Sequence, residues 1–173
     1  MYKRQVYEWI LEQGVARKRE DEVARAAVAR MRELGAEPSF PPIVAAGANG
    51  AMPHAEPGAR EIGNGDMLIF DMGAQLDGYC SDCTRTFAVG KPAAEAREVY
   101  KLVLRAQEAA LKAIAAGKSA KEVDGISRAI IDDGGHREHF GHGLGHGVGL
   151  DVHEAPRLSQ RSDEVLELSL IHI

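Results

Sequence analysis

Apolar positions change their period several times along the chain, and each change predicts an element. Val6 to Leu11 is a short apolar stretch holding the single tryptophan, Trp9, and it gives way to a polar segment. From Glu22 to Leu34, the residues Val23, Ala27, Met31 and Leu34 recur at helical spacing, and Gly35 is placed to end that helix. Pro38, Pro41 and Pro42 make a stiff connection into Ile43-Val44-Ala45-Ala46, a brief strand that runs into the turn-rich Gly47-Ala48-Asn49-Gly50. Pro57 to Gly65 reads as a loop. Met67 to Met72 is a buried strand and Tyr79 to Val89 a second, with the hairpin dipeptide Asp77-Gly78 between them. Val99, Leu102, Val103, Ala106, Ala110 and Ile114 mark one face of a long helix over Ala93 to Ala116, which Gly117 stops. Ser119 and Glu122 form a capping box for a further helix carrying Val123, Ile126 and Ile130 and ending at Gly134-Gly135. Helices and antiparallel strands without βαβ units imply an α+β fold, helices covering one face of a curved antiparallel sheet. No internal repeat is visible.

Composition narrows the class. With 173 residues, 45% hydrophobic and 27% charged, the chain supports one ordinary core, so a single domain is the starting expectation. A formal charge of -5 and a pI near 5.8, with no basic cluster, argue against a nucleic-acid partner. Arg17-Lys18-Arg19 runs directly into Glu20-Asp21-Glu22, which reads as a solvated helix start. No stretch nears the roughly 20 apolar residues that cross a bilayer, and the first residues lead into no signal core, so the default is a soluble cytoplasmic protein with no membrane partner. Cys80 and Cys83 are too few for a disulfide framework. Three residues apart on a strand they point to opposite faces, so they neither chelate together nor form a redox pair.

The candidate chemistry begins with Asp71 in the middle of an apolar strand, where a buried carboxylate costs several kcal/mol unless a cation or donors meet it. A two-residue turn at Asp77-Gly78 sets Thr84 opposite Asp71 and Gly73 opposite Asp82, so both aspartates leave the same face as diagonal neighbours. Roughly 7 to 8 Å of backbone then separates them, from which two carboxylates can converge on a metal or a metal pair. The competing reading is that Asp82 bonds Arg85 or backbone amides. Downstream, Phe140 to Leu150 has glycine at every odd position from Gly141 to Gly149 and His142, Leu144, His146 and Val148 between them. As a strand this has one bare face, open to a close-approaching backbone or ligand, while His142 and His146 point together. His153 can bring a third imidazole to the same place. Carboxylates with imidazole suit Mn(II), Co(II), Fe(II) or Zn(II), and two carboxylates able to bridge suggest two metals and hydrolysis by a metal-bound hydroxide. The chain shows no phosphate loop, serine elbow or dinucleotide fingerprint.

These residues resemble the M24 metallopeptidases, which include methionine aminopeptidase, Xaa-Pro aminopeptidase, prolidase and creatinase. Asn49-Gly-Ala-Met-Pro-His54 is similar to the family's substrate-histidine segment, Phe70-Asp71-Met-Gly to its first ligand strand, and Ser81-Asp82-Cys-Thr-Arg-Thr-Phe87 to its second. Gly145-His146-Gly-Val-Gly-Leu150 and the following His153-Glu-x-Pro156 resemble its histidine-ligand strand. The resemblance runs from Glu22 to Glu167 and implies the pita-bread fold. Ser-Asp-x-Thr-Arg-Thr-Phe, with His142 four residues before His146, looks like the Xaa-Pro branch. It implies that Asp71 chelates one metal, Asp82 bridges both and His146 binds the other, Mn(II) leading the candidate metals. It also implies that His54 and His153 hold the scissile carbonyl and the tetrahedral intermediate, that His142 lines the proline side, and that a peptide with a free amino terminus is the partner. Arg85 is read as structural.

Two further glutamate ligands of the family, carried after the His-Glu-x-Pro segment, have no counterpart here. Asp163, Glu164 and Glu167 fall where a loop is expected. Residues 1–5 and 168–173 look foreign to the family, like translated adapter sequence, which leaves residues 6–167 as a partial catalytic domain. The expectation is a fragment that binds metal weakly and is itself inactive, from a parent for which a homodimer is allowed. The alternatives are a methionine aminopeptidase and a non-catalytic pita-bread module that binds peptides or proteins.

Overall fold

The computed structural model describes residues 2–167, with side chains from residue 4; the expectation for residues 168–173 lies outside the described residues. The chain divides into two compact units, residues 2–93 with Gly149–Val152 and Ala94–Val148 with residues 153–167.

In the first unit, α1 (Tyr2–Gln13) and α2 (Glu20–Glu33) precede β1 (Glu37–Pro38), β2 (Ile43–Ala46), β3 (Met67–Met72), β4 (Ala74–Leu76), β5 (Tyr79–Cys80) and β6 (Cys83–Ala88). Pairing is antiparallel throughout, in two three-stranded sheets ordered β2-β3-β6 and β1-β4-β5. Burial alternates along β3: Leu68, Phe70 and Met72 are buried, Met67, Ile69 and Asp71 only partly. The buried set packs with Val6, Tyr7 and Ile10 of α1 and with Val23, Ala27 and Met31 of α2. Each such large side chain contributes about 1.5–3 kcal/mol on leaving water. A one-residue slip would reverse that gain and drive Asp71 into the helices, so the core fixes the face from which Asp71 projects. The apolar stretch from Val6 to Leu11 is thus the middle of a twelve-residue helix.

Asp77 and Gly78 both have positive φ, 50° and 86°, the conformation of a type I′ hairpin turn. Pairing above it follows the register expected of a two-residue turn, Leu76 opposite Tyr79 and, further along, Asp71 opposite Thr84. The expected strand from Tyr79 to Val89 is interrupted at Ser81-Asp82. There the Ser81 hydroxyl accepts from the Ala74 amide (3.0 Å) and donates to the Ala74 carbonyl (3.0 Å), while the Ser81 carbonyl accepts from the Ser39 hydroxyl (2.8 Å). Side-chain bonds replace part of the ladder.

The second unit contains α3 (Ala94–Ala113), α4 (Ala120–Asp133), β7 (Gly145–Gly147) and β8 (Glu154–Leu158). The Ser119 capping box closes as expected, the Ser119 hydroxyl accepting from the Glu122 amide (3.0 Å) and the Glu122 carboxylate from the Ser119 amide (3.2 Å). Both α2 and α4 end in a Schellman arrangement, with Gly35 and Gly135 amides donating to Arg32 and Asp132 carbonyls, and Ala36 and His136 amides to Met31 and Ile131 carbonyls. Leu102 and Ala106 of α3 pack on Ile131 of α4, and Ala110, Val123 and Leu166 form a second cluster joined by Leu144 and Leu158. The glycine-histidine segment corrects the expectation of one long strand: only Gly145–Gly147 is extended and paired, with β8. Among the described residues no helix is long and apolar enough to cross a membrane.

Candidate active site

Asp71 sits on the central strand of its sheet, opposite Ile43 on one side and Thr84 on the other. Asp82 occupies the interrupted step between β5 and β6, and both side chains are half-buried. The helix layer supports this pair from behind. Tyr7 of α1 places its hydroxyl 2.8 Å from the Phe70 carbonyl and 2.5 Å from the Cys83 carbonyl, one proton shared between the residue before Asp71 and the residue after Asp82. Its ring meets Phe70 edge-on at 5.0 Å. Burial pushes the Tyr7 phenol far above its ordinary range, and the negative fields of Cys83, Asp71 and Asp82 add to the shift against the opposing charge of Arg85. Tyr7 therefore stays protonated and remains a donor. Arg85 donates to the Thr84 carbonyl (2.7 Å), a bond within its own strand.

His54 is exposed on the loop between β2 and β3. In the second unit the rings of His146 and His153 lie 4.3 Å apart, tilted by 50°. His146 Nδ1 is 2.9 Å from the Gly147 carbonyl, and His142 Nδ1 is 2.7 Å from the Gly143 carbonyl. A carbonyl only accepts, so Nδ1 carries the proton in each ring and the lone pair a metal would use is on Nε2. His142 is not on a shared strand face with His146; it lines an open cavity of about 500 Å³ with Arg128, Arg137, Ser159 and Gln160. The bare-face expectation holds at two glycines. A Cβ on Gly143 would lie 2.8 Å from the Leu158 carbonyl oxygen, and one on Gly147 would overlap the Ala155 carbonyl.

What holds this segment is an ion pair on α4, with its carboxylate buried and its guanidinium partly exposed. Asp124 is fully buried and accepts from Arg128 Nε and Nη2 (both 3.0 Å), from Gln160 Nε2 (2.6 Å) and from the Leu144 amide (3.0 Å). Arg128 in turn donates to the Phe140 (2.7 Å) and His142 (2.9 Å) carbonyls and stacks over the Phe140 ring at 4.2 Å. The pair thus ties down both approaches to the β7–β8 hairpin.

The structure places Asp71, Asp82 and His54 in the first unit and His142, His146 and His153 in the second. Among the described residues, no three or more His, Cys, Asp or Glu side chains form a group able to hold a metal ion. Residues 2–171 match metallopeptidase family M24. The chain belongs to that family. It is 44% identical over 155 residues to an Xaa-Pro dipeptidase of Pyrococcus furiosus, a match covering 89% of this chain and 44% of that protein. Among solved structures it is similar to an X-Pro aminopeptidase of Thermotoga maritima (TM-score 0.92, 39% identity, 96% of this chain and 47% of that one). It is also similar to an Xaa-Pro dipeptidase of Bacillus anthracis (TM-score 0.93, 42% identity, 95% and 47%). The pita-bread fold expected of an M24 member is therefore the fold of this chain, which spans less than half the length of these relatives.

Three contributors escaped the sequence reading: Tyr7, the Asp124–Arg128 pair and Glu20. Glu20 was expected in a solvated helix start, yet it is fully buried. The available signal was helical spacing, since Glu20 stands three, four and seven residues before the buried Val23, Ala24 and Ala27.

Proposed function

We propose that this M24 chain supplies Asp71, Asp82 and His146 to a dinuclear metal centre that cleaves peptides at Xaa-Pro bonds. The observation that carries this reading is the hairpin register, with Asp71 turned to the face opposite the α1–α2 layer and the Asp82 step clamped beside it by Tyr7. The donor chemistry fits the metals the family implies. Two carboxylates and one imidazole with its Nδ1 proton engaged are hard and borderline ligands suited to Mn(II), Co(II), Zn(II) or Fe(II), and the family resemblance puts Mn(II) first among them. Divalent ions held there would supply Lewis-acid polarisation of the peptide carbonyl and lower the pKa of water.

The chain's own residues do the rest. His54 and His153 orient the scissile carbonyl and donate to the oxygen on which negative charge develops, a role that needs donors fixed in advance. His142, at the Arg-lined cavity, contacts the proline side of a peptide with a free amino terminus. Residues 6–167 form part of the catalytic domain, and the two remaining carboxylate ligands come from outside them. Three ligands make an incomplete site, so the 173-residue chain alone binds metal weakly and does not turn over. The names of the relatives, Xaa-Pro dipeptidase and X-Pro aminopeptidase, support the proline preference. The test is a chimera joining residues 6–167 to the flanking parts of the P. furiosus relative, assayed with Mn(II) on Xaa-Pro and Met-Ala peptides. Xaa-Pro cleavage that Asp82→Asn abolishes is expected. Cleavage of Met-Ala alone, or Xaa-Pro activity that survives Asp82→Asn, would sink the reading.

A further inference from the structure

The loop that carries His54 runs from the end of β2 to the start of β3, and its only regular piece is a 3-10 turn over Gly47–Ala51. A loop of this length holds a side chain in place only if something ties its limbs together. Here one carboxylate does so. Glu20 Oε1 accepts from the Ala46 amide (2.7 Å), both Glu20 oxygens lie 3.0 Å from Asn49 Nδ2, and Oε2 accepts from the Gly58 amide (3.2 Å). Residues 46 and 49 belong to the outgoing limb and residue 58 to the returning one, so the bonds close a ring of chain around His54. Backbone bonds continue the seam: the Glu20 amide donates to the Arg60 carbonyl and the Asp21 amide to the Gly58 carbonyl, both at 3.0 Å.

Burying a carboxylate costs several kcal/mol unless its lone pairs are met. The donors named here are all neutral, two backbone amides and one side-chain amide. Glu20 is also the first residue of α2, beside the free amides of the helix start. A shorter aspartate could not reach both limbs. A glutamine would turn its own NH2 toward either the Ala46 or the Gly58 amide, donor against donor. The geometry therefore calls for a side chain of this length with an acceptor at both oxygens, and its bonds converge on the two limbs of a single loop.

We infer that Glu20 is a positioning residue for His54, holding the 46–58 loop so that the imidazole meets the substrate carbonyl. This rests on the reading of His54 as a substrate-orienting group. The first test needs neither metal nor substrate: amide hydrogen exchange and His ring NMR on the 173-residue chain carrying Glu20→Gln. Exchange across 46–58 should rise at least about tenfold and the His54 ring signals should move, while α2 beyond Ala24, β3 and the His136 and His139 signals stay as they were. Adding Asn49→Asp, whose carboxylate can accept from the new glutamine amide, should restore part of the protection. In the active chimera, Glu20→Gln should lower kcat about tenfold with KM retained, and should cost nothing further in a His54→Ala background. Unchanged exchange in 46–58, loosening that spreads equally through α1, α2 and β3, or a full loss on top of His54→Ala would each overturn the inference. A chimera that cleaves no Xaa-Pro peptide would instead count against the proposed function and leave the exchange result standing.

Discussion

Asp124→Asn changes one oxygen to an NH2 inside the most densely bonded polar cluster of the second unit. Oδ1 accepts from Arg128 Nη2 and the Leu144 amide, and Oδ2 accepts from Arg128 Nε and Gln160 Nε2. Whichever way the asparagine is turned, its NH2 faces two donors, so two charge-assisted or buried bonds are lost and Arg128 loses its counter-charge. Bonds to charged groups contribute about 1.5–3 kcal/mol each, and breaking a buried pair from one side costs about 3–5 kcal/mol. Arg128 keeps 23% of its side chain exposed, which lets water meet part of the loss and points to the lower end, about 3 kcal/mol. For a chain of this size that lowers the thermal midpoint by roughly 6–12 °C. Differential scanning calorimetry of the wild type and Asp124→Asn measures it. The control is Glu8→Gln, which removes a pair with side chains 84% and 55% exposed and should leave the midpoint where it was. A shift no larger than the control's would refute the argument that this pair anchors the His142 and His146 segment.

The same carboxyl sets an acid limb. Burial alone would raise it, but the bonds from Arg128, Gln160 and the Leu144 amide, with the Arg128 charge, bring it below the ordinary carboxylate range. A depressed native pKa contributes stability that is complete above the unfolded value of about 3.9 and is lost as pH falls through the native one. The gap between wild type and Asp124→Asn in urea midpoint should therefore be constant near neutrality and shrink below about pH 4. Gly147→Ala would push a methyl group into the backbone of Ala155 and force β7 from β8, costing about 1–3 kcal/mol by urea denaturation, whereas Gly145→Ala, whose Cβ meets nothing within 4 Å, should cost less.

What the sequence disclosed was local. The strand at Met67–Met72, the strand at Ile43–Ala46 and the capping box at Ser119 were legible because period, turn chemistry and caps act over a few residues. The hairpin register followed from Asp77-Gly78 alone, and with it the pairing of Asp71 with Thr84. The glycine-histidine segment misled because its alternation mimics a strand, while its backbone groups bond instead to Asp124 and Arg128, more than ten residues upstream on α4. Tyr7 was hidden for the same reason: its partners, Phe70 and Cys83, are brought to it only by packing of α1 on the sheet. Glu20 shows that a run of charges can hide one buried member, which helical spacing singles out.

Mn(II) titration of the 173-residue chain by calorimetry or electron paramagnetic resonance decides whether Asp71, Asp82 and His146 are metal ligands. Binding should be weak, and Asp71→Asn, Asp82→Asn and His146→Asn should each reduce it by at least about tenfold, with His142→Asn binding as the wild type does. Equal Mn(II) affinity in wild type and Asp82→Asn, or a loss on His142→Asn that His146→Asn does not share, would contradict that assignment.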